Sequence, residues 1–188
     1  MARQHGITST TYDKFIIDSG AMYTGFTDFS TPGTLMGATR DGASIAIETE
    51  YREMPVDGAH GPVKGSKRIV SSKATLTATF IEHTLANFIR ALPGSESATA
   101  FTNWDAVTRA LKIEAADYIS NIVLIGEVSG NANAMGFKLS NVLCESNFEL
   151  ALTDKEEGVI SLTFVAHFDP ADLAAGTDTE PWTLYWPK

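Results

Sequence analysis

Residues 44–80 read SIAIETEYREMPVDGAHGPVKGSKRIVSSKATLTATF. Ile45, Ile47, Thr49 and Tyr51 alternate with Ser44, Ala46, Glu48, Glu50 and Arg52, the two-residue period of a strand with one apolar face. Residues 73–82 repeat the pattern, with Ala74, Leu76, Ala78 and Phe80 set against threonines whose β-branching suits a pleated surface. Between the two, Pro55 and Pro62 remove ladder donors and Gly58, Gly61 and Gly65 permit tight reversals, so residues 53–69 read as a loop. Loops beyond roughly 12–15 residues are uncommon in a compact domain and tend to be functional or disordered.

Outward from this pair, strands outnumber helices. Residues 15–23 read as a short strand and 24–34 as a Gly/Pro/Thr-rich loop. In residues 84–92, Leu85, Phe88, Ile89 and Leu92 fall at helical spacing, Thr84 can cap the start, and Pro93-Gly94 ends the run. Residues 95–106 are polar and read as an irregular outer loop. Strand-like runs resume at 107–115, 119–128, 135–143 and 145–152, and Ile160, Leu162, Phe164, Ala166 and Phe168 form one face of a last strand. The expectation is a mainly β fold, a β-sandwich or partly open barrel of two sheets with one flanking α-helix. It occupies residues 13–170, with an N-terminal extension over 1–12 and a C-terminal tail over 171–188. Trp182, Tyr185 and Trp186 are costly to leave in water, so the tail is expected to dock on its own subunit or on a neighbour.

With 188 residues and 44% hydrophobic content, the chain can bury one good core. Its net charge of −9 is regional: residues 1–94 carry nine basic and nine acidic side chains, whereas residues 95–188 carry five and fourteen. Stable nucleic-acid binding needs clustered cations, and apart from the stretch from Lys64 to Lys73 there is no such cluster. No apolar run approaches the ~18 residues of a membrane span, and the start of the chain has no apolar signal core, which predicts a soluble protein made in a cytoplasm, with no membrane insertion. The lone Cys144 excludes an intramolecular disulfide and a cysteine-rich zinc site.

No motif selects an enzyme. His5, His60, His83 and His167 are isolated from one another and match no metal-ligand spacing, so no metal or cofactor is expected. GPVKGSK lacks the GxxxxGK[ST] order of a phosphate-binding loop and is followed by a strand rather than a helix. A GxSxG elbow is absent. Glu48 with Glu50, and Glu145 with Glu149, are carboxylate pairs of the kind glycosidases use, but alternation on a solvated strand face produces the same spacing.

The loop has more to offer a protein partner. Met54, Val56 and Val63 present apolar contacts, while Lys64, Lys67 and Arg68 suit an acidic surface such as the second half of this chain carries. A basic loop of one copy on the acidic face of another is a head-to-tail contact, the kind that builds rings or open filaments.

Residues 37–84, GATRDGASIAIETEYREMPVDGAHGPVKGSKRIVSSKATLTATFIEHT, resemble the central segment of major tail tube proteins of long-tailed, non-contractile bacteriophages, with their DGAxGPVKG-type loop between strands and a helix after them. FKLSNVLCESNFELALTDKEEGVISLTFVAHFDP, residues 137–170, is similar to that family's closing strands, and the resemblance spans roughly residues 13–170. It implies a structural virion protein with no active site, located in the tail and synthesised in the host bacterial cytoplasm. Six copies would form a ring whose inner strands join into one barrel, and rings would stack into a tube. The implied partners are the tape measure protein, the tail terminator and tail-tip or baseplate proteins, with DNA passing through transiently and not stably bound. Residues 53–69 would then be an assembly arm comprising Met54, Val56, Asp57, Gly58, Gly61, Pro62, Val63, Lys64, Gly65, Lys67 and Arg68. Glu48, Glu50, Glu145 and Glu149 are candidates for the lumen, where carboxylates would repel phosphates. A terminator, a baseplate hub or a secretion-type tube shares much of this description, and a ligand-binding β-barrel or enzyme is the reading from another class.

Overall fold

A computed structural model describes residues 6–152, 154–177 and 179–188. The strands in chain order are β1 (Ile16–Thr24), β2 (Thr34–Leu35), β3 (Thr39–Glu53), β4 (Lys67–Phe80), β5 (Ser95–Phe101), β6 (Trp104–Arg109), β7 (Ile119–Val128), β8 (Met135–Cys144), β9 (Ile160–Ala166) and β10 (Trp182–Tyr185). Helix α1 (Leu85–Ala91) follows β4, and the short α2 (Pro170–Ala174) follows β9. Eight strands form one antiparallel sheet in the order β2-β1-β7-β8-β9-β4-β3, with β10 added to β8. β5 and β6 form a separate two-stranded ribbon. The fold is mostly β and has two sheets, but these are not two comparable layers. At the far ends of the large sheet β1 and β3 approach each other, and among the described residues no ladder joins them, so the barrel stays open.

One continuous core lines the inner face of this curled sheet. β4 supplies Ala74, Leu76, Ala78 and Phe80, and β9 supplies Ile160, Leu162, Phe164 and Ala166, all by simple alternation. Phe168 does not join them: it lies past the end of β9 and is 37% exposed. In β8 the core positions change phase, from Phe137 and Leu139 to Val142 and Cys144. Asn141 causes the change by adopting a left-handed conformation (φ 50°), one of the few a non-glycine residue tolerates.

α1 begins where Thr84 Oγ1 accepts the Asn87 N–H at 3.2 Å. The expected apolar stripe is displaced, since Asn87 and Ala91 are the buried positions and Leu85 is exposed. Asn87 is buried because its polar groups are satisfied. Its Nδ2 donates to the Met36 carbonyl at 2.6 Å, and its Oδ1 accepts from Arg90, which also reaches Thr24 Oγ1 at 3.3 Å. Partial burial lowers the Arg90 pKa from its ordinary value.

Three sequence expectations need correction. Residues 95–106 are not a loop: the small residues of SESATAF hid a two-residue period, and they pair with Trp104–Arg109 from Ser95↔Arg109 to Phe101↔Trp104. The strand expected over 107–115 therefore ends at Arg109. Residues 145–152 are not a strand, because β9 already lies between β8 and β4 and the Ser146 hydroxyl takes the Thr163 N–H at 3.1 Å. The tail does dock on its own subunit. β9 covers β8 only from Val142 to Cys144, and β10 fills the remaining edge from Gly136 to Leu139, with Trp182 stacked on Phe137. Trp186 stays 49% exposed, and α2 is an additional helix, capped by Asp169.

The two sheets should respond differently to truncation. Phe164→Ala, at a wholly buried ring, is expected to cost about 3–5 kcal/mol in urea unfolding. Trp104→Ala, at a ring 66% exposed on the ribbon, should stay within about 0.5 kcal/mol.

Candidate assembly surface

β3 and β4 pair along their whole length, from Thr39↔Phe80 at one end to Glu53↔Lys67 at the other. β9 accompanies β4 only from Thr75 to Phe80. Beyond Thr75 the pair leaves the body of the protein as a two-stranded arm. Both of its edges, the outer side of β3 and the side of β4 from Lys67 to Ala74, lack a strand partner among the described residues. Isolated two-stranded ribbons are marginal in water, and unpaired edges are templates for further strands.

The arm has two faces. Ile47, opposite the buried Ala74, is 39% exposed, and Tyr51 and Ile69 continue the core-facing side past the point where a core lies beneath it, at 61% and 58% exposed. The alternation read in the sequence is present, but its apolar side is uncovered here. On the opposite face Glu48 is paired with Lys73, and Glu50 accepts from Ser71 Oγ at 3.2 Å. Lys73 reaches Glu145 at 2.8 Å, and His167 Nε2 lies 3.4 Å from the other Glu145 oxygen. His167 Nδ1–H faces the Asn141 and Val165 carbonyls, which fixes the ring. Glu145 and the register partner Glu48 thus flank Lys73, while Glu50 lies further along the arm beside Ser71. Glu145 lies just past β8, not on a strand, and Glu149 is exposed in the same irregular segment, next to Phe148, whose ring packs on Phe88.

At the tip, residues 54–66 are irregular, three residues shorter at the far end than the sequence suggests, and Lys67 and Arg68 are strand residues opposite Glu53 and Arg52. Two reversals shape the tip. Ala59 N–H donates to Val56 O and Ser66 N–H to Val63 O, each at 3.1 Å, with Gly58 (φ 88°) and Gly65 (φ 90°) at the third position, the type II arrangement that calls for glycine. Gly61 is not in that conformation. Ser66 is the buried residue of the tip and its hydroxyl donates to Val63 O at 2.7 Å, while Met54 N–H closes the loop on Ser66 O. The result is a shaped tip with an open cleft of about 440 Å³ lined by Glu53, Met54, Pro55, Val56, Pro62 and Val63.

The other end of the β3–β4 hairpin is acidic. Arg40 pairs with Glu157 at 2.6 Å, Glu82 accepts the Ala38 N–H at 3.0 Å, and His83 Nε2–H donates to Gly158 O at 2.8 Å. The first and last of these contacts hold Glu157 and Gly158 against the hairpin base. Among the described residues no group of three His, Cys, Asp or Glu side chains is placed to hold a metal ion, and no helix is long and apolar enough to cross a membrane.

No family model matches this chain, and no curated protein does. Among solved structures it is similar to a chain from the virion of a native gene transfer agent particle, at 9% identity and a TM-score of 0.42, over 80% of this chain and 92% of that one.

Hydrogen bonding from Arg40, then Glu157's own backbone and the Arg40 charge, holds the Glu157 carboxyl below its ordinary value of 4.5. The pair's small contribution is therefore complete above pH 4.5 and lost as pH falls through the lowered pKa. An NMR titration should find Glu157 titrating below 4.5, and Arg40→Ala should move it up toward that value; an unchanged midpoint in the variant would refute the pairing in solution.

Proposed function

We propose that this chain is a structural, non-enzymatic virion subunit that self-assembles into hexameric rings, stacked as the tail tube through which phage DNA is delivered. The observation that carries the reading is its surface. The accessible area is 13025 Å², whereas a compact monomer of 20.2 kDa would expose about 8,800 Å². The excess of about 4,000 Å² exceeds the ~1,100 Å² that the seven residues outside the described set could add when fully extended. At about 800 Å² per partner in a standard contact, it is enough for several neighbours.

Part of that surface belongs to two projections of the fold. The β3–β4 arm and the β5–β6 ribbon both stand clear of the core, with apolar side chains such as Tyr51, Val56, Ile69, Phe101 and Trp104 in solvent. Edge-to-edge pairing of arms around a ring would remove the unpaired strand edges, and closure is the general way such edges are eliminated. The sequence resemblance over residues 13–170 supports the same reading and supplies its partners: the tape measure protein, the tail terminator and tail-tip or baseplate proteins, with a place in the virion tail after synthesis in the host cytoplasm.

Glu48, Glu50 and Glu145 would face the channel from the polar side of the arm, with Lys73 neutralising part of their charge. Carboxylates there disfavour the counterion release that makes DNA binding tight, so the duplex slides without sticking.

Negative-stain electron microscopy of the purified protein across a concentration series tests the reading. Hollow tubes of uniform diameter are expected; single rings would instead indicate a terminator or hub, and a monomer at every concentration would count against self-assembly. Deleting residues 56–65 should leave a soluble, β-rich chain that forms no tubes, and tubes from the deletant would end the arm assignment. Glu48→Lys with Glu50→Lys should assemble but slow genome ejection, whereas ejection at the normal rate would remove the proposed lumen role.

A further inference from the structure

The β9–β4 ladder ends at Val165↔Thr75, and three side chains meet just beyond its last rung. Lys73 lies further along β4, His167 follows Ala166 at the end of β9, and Glu145 follows Cys144 at the end of β8. Lys73 Nζ reaches Glu145 Oε2 at 2.8 Å, and His167 Nε2 faces Glu145 Oε1 at 3.4 Å. One carboxylate therefore joins the root of the arm, on β4, to the ends of β8 and β9.

The imidazole is held so that its protonation state decides whether this junction is attractive. Nδ1 lies 3.2 Å from the Asn141 carbonyl and 3.1 Å from the Val165 carbonyl, and carbonyl oxygens only accept. Nδ1 therefore carries a hydrogen in every state of the ring. A neutral ring has one hydrogen to place, so its Nε2 turns a lone pair toward the Glu145 oxygen. An imidazolium has a second hydrogen, and the same contact becomes a charge-assisted hydrogen bond. The Asn141 carbonyl also takes the His167 backbone N–H at 3.2 Å, so the left-handed residue that shifts the phase of β8 fixes the ring as well.

The other groups around the ring are already engaged. Tyr118 meets it edge-to-face, with ring centroids 5.2 Å apart. His167 lines a cleft with Asn141, Glu114 and Asp169, in which Glu114 pairs with Lys112 at 2.8 Å and Asp169 accepts the Ala171 N–H at 2.8 Å. Among the described residues, Glu145 is the carboxylate that the ring addresses.

We infer that His167 is a proton-operated clasp at the root of the arm, closed on Glu145 as the imidazolium and open as the neutral ring. Histidine is the side chain whose charge ordinarily changes between about pH 5 and 8. In acid, Glu145 is shared between two cations and pins β4 to the ends of β8 and β9, where the ladder no longer does so. Toward alkaline pH, Oε1 faces a lone pair and the carboxylate is left to Lys73, a half-exposed partner that salt screens. The clasp belongs to the single chain and operates whether or not the arm meets a neighbour.

The ring itself supplies the first test, on the full chain in dilute solution and with no substitution. Nitrogen and carbon NMR shifts of His167 at about pH 8 should report the Nδ1–H tautomer. The Nε2–H tautomer would overturn the inference, because a neutral ring could then donate to Glu145 and nothing would open.

A double-mutant cycle in urea is the second test. His167→Asn keeps an amide N–H in the place of Nδ1 and has nothing to reach Glu145, while Glu145→Gln removes the charge. Their coupling should change the unfolding equilibrium constant about threefold or more at about pH 5 and vanish at about pH 8. Equal coupling at the two pH values, or none at either, refutes the clasp. Amide hydrogen exchange over residues 67–73 then reads the arm, each rate being compared with the same amide of His167→Asn at the same pH. Exchange should be slower in the unmodified chain at about pH 5 and equal at about pH 8. No difference in acid would show that the contact does not brace the arm.

Discussion

Most of this structure depends on a mismatch in the pairing of one strand. β4 is hydrogen-bonded to β3 along its entire length but to β9 only over Thr75–Phe80. Where both neighbours are present, Leu76, Ala78 and Phe80 are buried and anchor the core. Where β9 ends, the backbone hydrogen bonds with β3 persist while the apolar burial stops. A ribbon in that condition keeps its shape through its ladder and turns but gains little from the hydrophobic effect until something covers it. The arm is therefore built for completion by another surface.

The body supplies the rigidity that makes such an arm useful. Asn87 ties α1 to the Met36 carbonyl, and Arg90 ties it to Thr24, so the helix is fastened by polar contacts as well as by Ala91 and Phe88, which pack on the core. Phe148 adds a ring contact to Phe88 and brings the segment after β8 alongside the helix. From there the chain runs to Arg40 and His83, which places the acidic segment at the hairpin base. The polarity of the hairpin is thus a consequence of how the connection between β8 and β9 is routed.

Much of this is legible in the sequence because the physics is local. Alternation exposed the cores of β4 and β9, Thr84 and the helical period marked α1, and the glycines and prolines of 54–66 marked a loop. The misses share one cause. SESATAF forms a strand with small residues that carry no hydrophobic signal, and ESNFELAL alternates well yet finds β9 already seated between β8 and β4. Glu145 and Glu149 were grouped by spacing on a strand that does not form, while Lys73 and His167, which surround Glu145, are distant in sequence from it and from each other.

What the sequence alone determines here is the β-rich class, the single core, the loop chemistry and the division of charge between the two halves, because each follows from residue types and periods of two to four. Only the tertiary structure decides that β10 completes β8, that the loop crowns a protruding arm, and that Glu157 sits at that arm's opposite end. Those outcomes depend on which strand edges are already occupied when a segment arrives. Edge occupancy is a property of the whole sheet, and no window of residues contains it.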